Sequence, residues 1–220
     1  MEKHRLKQRR LRIWQGDYLV NRYLWRNIER AIREAKASLP IDSPVVLDVG
    51  CGHKPYRDWF GPVRYFAMDW AAKDSSPDFL GDACRIPIQT GTIDIVFSTQ
   101  VIEHVPKPDQ MLKEFKRVLK RGGILILTGP MYWPLHEEPF DFYRFTKYGF
   151  EQLLSDNSFS RWEIREDGGD WAQLGLALCL KLNGKMLMPV RCLVNLLGEI
   201  LGSLSTSKKS PSNYTVLARS

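Results

Sequence analysis

The chain predicts an open, doubly wound α/β sheet in three layers, and three observations carry that expectation. Val45-Val46-Leu47-Asp48-Val49 is a β-branched apolar run of the kind that forms a buried strand, and Gly50-Cys51-Gly52 lets the backbone turn tightly at its end. Further short apolar runs follow with helical or turn segments between them, the alternation of a largely parallel sheet with helices on both faces. At 220 residues, 44% hydrophobic and 26% charged, the chain has the material for one globular domain with a substantial core.

The elements follow in order. Residues 13–39 place Trp14, Tyr18, Trp25, Ile28, Ile32, Ala35 and Leu39 on one face of an amphipathic helix, which Pro40-Ile41-Asp42-Ser43-Pro44 ends. Val45–Val49 is the first strand, and Tyr56–Phe60 is a short helical or irregular piece. Tyr65–Met68 is the second strand, ending at Asp69, and Phe79-Leu80 is a short third leading into Gly81-Asp82. Ile93–Phe97 is a fourth strand. Gln110–Leu119 reads as a helix stopped by Gly122-Gly123, and Ile124–Leu127 as a fifth strand. A helix over 145–154 and strands near 162–165 and 214–218 complete the pattern. Residues 1–44 are read as a basic arm with its helix, and 45–220 as the main domain carrying an apolar helical insertion at about 171–204. Ser203–Ser212 is a Ser/Lys/Thr-rich loop.

Ligands of open α/β sheets collect at the carboxyl ends of the strands, where the Gly50–Gly52 turn is expected. A dinucleotide fingerprint would need a third glycine three residues after Gly52, and Pro55 stands there instead. That disfavours a nicotinamide-linked oxidoreductase. Asp69 at the second strand's end suits a ribose diol, whose two hydroxyls a carboxylate can accept.

With these residues in place, the stretch from about Val45 to Leu154 resembles the class I S-adenosylmethionine-dependent methyltransferases, in particular the methyltransferase-11-like group. The resemblance implies a Rossmann-like sheet, mostly parallel with an antiparallel last strand at Tyr214–Ala218. It also implies S-adenosyl-L-methionine as cofactor. Asp48, Gly50, Cys51 and Gly52 resemble the family's first motif, Asp69 its ribose acid, and Asp82 and Ala83 its adenine turn. Trp70 is expected against the adenine, and Thr99 and Gln100 at the end of the fourth strand beside the cofactor. Asp48 has a plainer alternative, capping the following turn through backbone N–H groups.

Methyl transfer from a sulfonium asks the protein for alignment and, with an oxygen nucleophile, a base. His104, in Gln100-Val101-Ile102-Glu103-His104-Val105, is one candidate. Leu135–Thr146 concentrates His, Glu, Asp, Tyr and Arg in one loop after the fifth strand. There His136 is the preferred base, and Tyr143 and Arg144 the preferred acceptor contacts. The alternative for this loop is an Arg144–Asp141 ion pair over buried Phe140, Phe142 and Phe145. Adjacent Glu137 and Glu138 point apart, and no metal is expected.

Residues 1–36 hold 11 Lys/Arg against four Asp/Glu, while residues 37–220 hold 21 of each, so the net charge of +7 lies in the N-terminal segment. Such a segment suits an anionic neighbour or simple solubility. In Met186–Leu204, Arg191, Asn195, Glu199 and Ser203 form one narrow stripe, with Pro189 read as a break from the helix before. The broad apolar remainder would pack internally, dimerise, or meet a lipid surface or lipid-linked acceptor. Nucleic acid is disfavoured, because no basic stripe with interleaved aromatics follows the arm. Cys51, Cys84, Cys179 and Cys192 form no CxxC pair, which points to a reducing, cytoplasmic setting, with peripheral contact at the inner face of a membrane as an extension. No signal peptide and no run of roughly 18 apolar residues is apparent. The reading is a methyltransferase, monomer or homodimer, acting on a small-molecule or lipid-linked acceptor at oxygen; the alternative is a non-catalytic binding module on the same fold.

Overall fold

The computed structural model describes residues 11–72, 76–182, 184–205, 207 and 209–220. Most of the basic arm, residues 1–10, and two positions of the Ser/Lys/Thr loop therefore lie outside the described residues. Seven strands form one sheet: β1 Val45–Val49, β2 Arg64–Asp69, β3 Phe79–Leu80, β4 Ile93–Thr99, β5 Leu119–Pro130, β6 Arg161–Asp167 and β7 Asn213–Arg219. Their spatial order is β3-β2-β1-β4-β5-β7-β6, parallel except for β7, which runs antiparallel to both β5 and β6. The expected sheet class and last-strand direction are both present.

Five α-helices accompany the sheet: α1 Tyr18–Ala37, α2 Pro108–Val118, α3 Lys147–Asp156, α4 Asp170–Lys181 and α5 Met188–Leu204. Leu24, Ile28, Ala31, Ile32 and Ala35 recur along α1 at helical spacing and pack on Val46, Ile95, Phe97, Ile124 and Ile126. Burying a Leu or Ile side chain contributes about 1.5–3 kcal/mol, so this face suffices to hold α1 on the sheet. The opposite face carries α2 and α3, whose Met111, Leu112, Phe115, Phe150 and Leu154 meet Leu47, Val49, Val96, Leu125 and Leu127. Pro108 opens α2, where its missing N–H costs nothing, and Thr146 caps α3 by accepting from Gly149 N–H at 3.1 Å.

Three local expectations are corrected. Trp14 lies in a turn before α1, which begins only at Tyr18, and is 40% exposed. Gly122-Gly123 does not stop α2: the helix ends at Val118, Leu119 is already extended, and Gly122 (φ 77°) lies inside β5 where the pairing with β4 shifts register. The expected break between two helices is present but falls before Met188, and Pro189 itself sits in the first turn of α5.

The larger surprise is the orientation of α5. Its polar stripe faces inward: Asn195 is fully buried and donates to the carbonyls of Ile13 and Gln15, while Glu199 accepts from Tyr18 Oη at 2.8 Å. Gly198 lets the helix close on Leu19, whose Cδ1 lies 2.5 Å from where a Cβ would stand. Leu193, Leu196, Leu197, Ile200 and Leu204 consequently point outward and are exposed. Ser203 departs from the stripe and is exposed.

Candidate active site

The strand order reverses between β1 and β4, and the crevice at their carboxyl ends is where an open α/β sheet takes a ligand. Gly50 begins the turn above β1 at φ 73°, and a Cβ there would lie 2.2 Å from Val101 Cγ2, so only glycine fits. Its N–H and that of Cys51 donate to Met68 O at 2.9 and 3.1 Å, which ties the turn to β2. Gly52 donates its N–H to Asp69 Oδ2 at 3.0 Å, and a Cβ at Gly52 would meet nothing within 4 Å. Bare backbone thus faces open space beside a carboxylate. Asp69 Oδ1 accepts from Trp70 N–H at 2.8 Å and keeps a lone pair for a ribose hydroxyl, while Oδ2 also receives the Cys51 thiol at 3.9 Å, a weak bond that a second hydroxyl could displace.

The turn after β3 closes the same edge. Gly81 N–H donates to Asp69 O at 2.9 Å, and Met68 Sδ lies 2.6 Å from where a Gly81 Cβ would be. Asp82 accepts from Cys84 N–H at 2.8 Å, and half-buried Ala83 packs on the core. Thr99 ends β4, and Gln100 (φ 54°) turns its side-chain amide onto Thr128 Oγ1 at 3.0 Å. These residues fit a nucleoside with a short polar chain.

Asp48 departs from the expected arrangement. It is 3% exposed, and its carboxylate accepts from the Tyr65 hydroxyl rather than capping the following turn. Burial pushes it up to about 7 and raises Tyr65 as well, so the pair props the turn from beneath. Burial and the nearby Asp48 and Asp69 push the Cys51 thiol up to about 12, and it stays protonated.

The loop after β5 lies over the short 3-10 turn Ile102–His104, with Phe142 and Tyr143 N–H donating to Glu103 O at 2.9 and 3.2 Å. Three side chains converge there: Glu103, His104 and His136 each present a ligand-type atom within 4.8 Å of the others. Sequence reading found both histidines but missed Glu103, which is fully buried and whose carboxylate receives no hydrogen bond from another residue. Burial pushes its carboxyl up to about 8. The imidazoles of His104 and His136 meet edge to face at 4.7 Å.

Arg144 is not free for an acceptor. It grips Asp141 through two bonds of 2.6 and 2.8 Å and donates further to the carbonyls of Trp133, Pro134 and Tyr143. The guanidinium holds Asp141 well below the usual carboxylate range. Tyr143 donates its hydroxyl to Pro106 O at 3.1 Å. The ion-pair alternative is thus the observed one, except that only Phe145 is buried; Phe140 and Phe142 are 46% and 43% exposed. Trp70 is 72% exposed and turns its ring edge to face toward Phe140 at 5.6 Å. Two concavities of about 170 and about 500 Å³ lie elsewhere, beside α1 and β6, and contain none of these residues.

A 3-2-1-4-5-7-6 sheet with a bare glycine turn and an acid at neighbouring strand ends defines the class I methyltransferase fold. Residues 47–127 match the family model described as a methyltransferase domain. The tRNA U34 carboxymethyltransferase of Methylococcus capsulatus is 33% identical over 47% of this chain and 35% of its own length. The chloroplastic 2-methyl-6-phytyl-1,4-hydroquinone methyltransferase 1 of Oryza sativa is 32% identical over 37% of this chain and 29% of its own. The chain therefore spans about a third of these curated relatives. The solved SAM-dependent methyltransferase of Archaeoglobus fulgidus superposes with a TM-score of 0.59 at 13% identity, over 91% of this chain and 97% of that one. Residues 47–127 thus match a methyltransferase domain, set in a sheet of the class I S-adenosylmethionine-dependent methyltransferase fold, which indicates S-adenosylmethionine as the cofactor.

Proposed function

We propose that the protein methylates an oxygen atom of a lipid-linked acceptor at an anionic membrane surface. S-adenosylmethionine, when bound, supplies a methyl group on a sulfonium that passes to the acceptor oxygen and leaves S-adenosylhomocysteine. Asp69 and the Gly50–Gly52 backbone hold and orient the nucleoside and its chain. The acceptor hydroxyl gives up its proton at the Glu103–His104–His136 cluster, where His136, held at Nδ1, keeps Nε2 free.

The observation that carries the lipid half of this reading is the inverted α5. A helix that buries its polar stripe and exposes Leu193, Leu196, Leu197 and Ile200 has an apolar face suited to a nonaqueous neighbour. Exposed Leu174 and Leu178 of the adjoining α4 extend it. Because β6 runs parallel to β5, α4 starts at the same sheet edge as the cofactor turn. The bonds from Asn195 to Ile13 and Gln15 fix the segment that follows residues 1–12 against the inward side of α5, and the Lys and Arg residues of that arm would complement anionic headgroups. No described helix is long and apolar enough to cross a membrane, so the contact would be peripheral. The name of the rice relative, which joins a hydroquinone to a phytyl chain, is in keeping with such an acceptor.

The test has two arms. The chain should co-sediment with phosphatidylglycerol vesicles more than with phosphatidylcholine vesicles, and deletion of residues 1–12 or Leu193→Glu with Leu197→Glu should reduce that binding. Methyl-labelled cofactor added with a cell extract should label the lipid fraction. Label confined to water-soluble metabolites or to RNA would overturn the acceptor class, and no label at all would leave a non-catalytic module.

A further inference from the structure

We infer that Glu103, His104 and His136 form a binding site for one first-row divalent cation of the zinc type. His104 Nδ1 lies 2.8 Å from Phe140 O, and a carbonyl only accepts, so Nδ1 carries the hydrogen and Nε2 presents a lone pair. His136 Nδ1 faces two acceptors, Pro134 O at 3.2 Å and Asp141 Oδ2 at 3.3 Å, which fixes the same tautomer. Glu103 adds a carboxylate that no donor from another residue satisfies, 3.8 Å from His104 Nε2 through Oε1.

Three electron-pair donors therefore converge with nothing positive among them. The outer groups are those of a metal centre. A histidine ligand characteristically donates its second N–H to a carbonyl or carboxylate, and both imidazoles do so. Arg144 holds Asp141 from behind by its two short bonds, so the partner of His136 is itself fixed. One carboxylate and two imidazoles suit zinc and its first-row neighbours rather than magnesium or calcium, which prefer all-oxygen sites. Ligand atoms around a tetrahedral ion at about 2.0–2.2 Å stand about 3.4 Å apart, so the set, now within 4.8 Å, must draw in by about an ångström. The imidazoles are 21% and 30% exposed and have room to do so.

Three protein ligands leave an open position, and the two imidazoles, 21% and 30% exposed, give it a route to solvent. The class of ligand that completes the site is an oxygen donor such as a hydroxyl or phenol. Coordination lowers the affinity of that oxygen for its proton, which passes to water, and it replaces His136 Nε2 as the means of deprotonation. This inference deepens the acceptor half of the proposed function, yet metal binding is measured with neither cofactor nor acceptor present, so either can fail alone.

The full chain, stripped with chelator and dialysed, is titrated with Zn²⁺ by calorimetry and with Co²⁺ by visible absorption. We expect one equivalent per chain and d–d bands of low-coordinate cobalt. Glu103→Gln and His136→Ala should each weaken binding at least tenfold, while His53→Ala, an exposed histidine outside the cluster, should leave it unchanged. Glu103 is buried, so unfolding curves accompany that variant, and loop residue His136 keeps the test available if it misfolds. No binding by the parent chain, or binding that survives both substitutions, overturns the site.

Discussion

Trp70 and Phe140 meet edge to face with ring centroids 5.6 Å apart, although one follows β2 and the other lies in the loop after β5. The contact joins the residue after the second strand to the loop after the fifth. Both rings remain largely exposed, as expected of a wall that a ligand completes. An aromatic pair of this geometry contributes about 0.5–1.5 kcal/mol beyond area burial. Trp70→Ala and Phe140→Ala should therefore each weaken adenosylhomocysteine binding severalfold, and the double variant by less than the product. A four-cornered calorimetric cycle with no coupling would place the two rings on independent surfaces.

Asp69 carries two duties. It accepts Gly52 N–H, which shapes the turn, and the second duty, proposed here, is to accept ribose hydroxyls, for which Oδ1 keeps a lone pair. Asp69→Ala should weaken cofactor affinity by about 1–3 kcal/mol through the lost charge-assisted bonds. Asp69→Asn keeps an acceptor for Gly52 and should fall between the two. Unchanged affinity in the alanine variant removes Asp69 from the cofactor site.

Strands were the readable part of this chain because β-branched runs bounded by turn residues are local signals, and β1, β2 and β4 fall where those runs lie. The Gly50–Gly52 turn and Asp69 were readable for the same reason. What failed depended on distant partners. Gly122 has the left-handed backbone of a helix cap, yet it serves a register shift in β5, and a glycine rule cannot tell those apart. Glu103 beside a histidine reads as a solvated acid, and only the loop folding back from residues 135–146 buries it. Arg144 reads equally as an acceptor contact or as the partner of Asp141, and only the folded loop shows it held by Asp141 and three carbonyls. The α5 stripe was legible through Arg191, Asn195 and Glu199 but not Ser203, and periodicity gives a face without saying which way it points.

Asp167 makes stability pH-dependent in a direction opposite to most carboxylates. It is fully buried, accepting from Asn27 Nδ2 and from Thr215 Oγ1, and burial pushes it from 3.8 to about 7. Below the unfolded value both states hold the proton and no penalty exists. As pH rises toward 7 the unfolded chain ionises while the folded one retains its proton, so stability falls, and above 7 the loss is complete. Asp167→Asn cannot ionise and should escape a loss on the order of 2–4 kcal/mol between pH 4 and 8. Its altered hydrogen bonding adds a cost that does not vary with pH, so the slope is the readout. Parallel urea-unfolding profiles for parent and variant would show that Asp167 is ionised in the folded state.

The inverted α5 reverses the usual rule for helix substitutions. Asn195 buries its amide against two carbonyls of the segment before α1, so Asn195→Leu orphans both acceptors and should cost about 1–3 kcal/mol or more. Leu197 points outward, 46% exposed, and Leu197→Ser should change stability by no more than about 0.5 kcal/mol. On a helix that buries its apolar face, the leucine would be the costly change and the asparagine the tolerated one. Urea-unfolding midpoints of the two variants decide between the orientations, because the order of the two costs exchanges. The pair also separates folding from surface function: Leu197→Ser should leave the midpoint in place while lowering vesicle binding, which a residue serving only the core could not do.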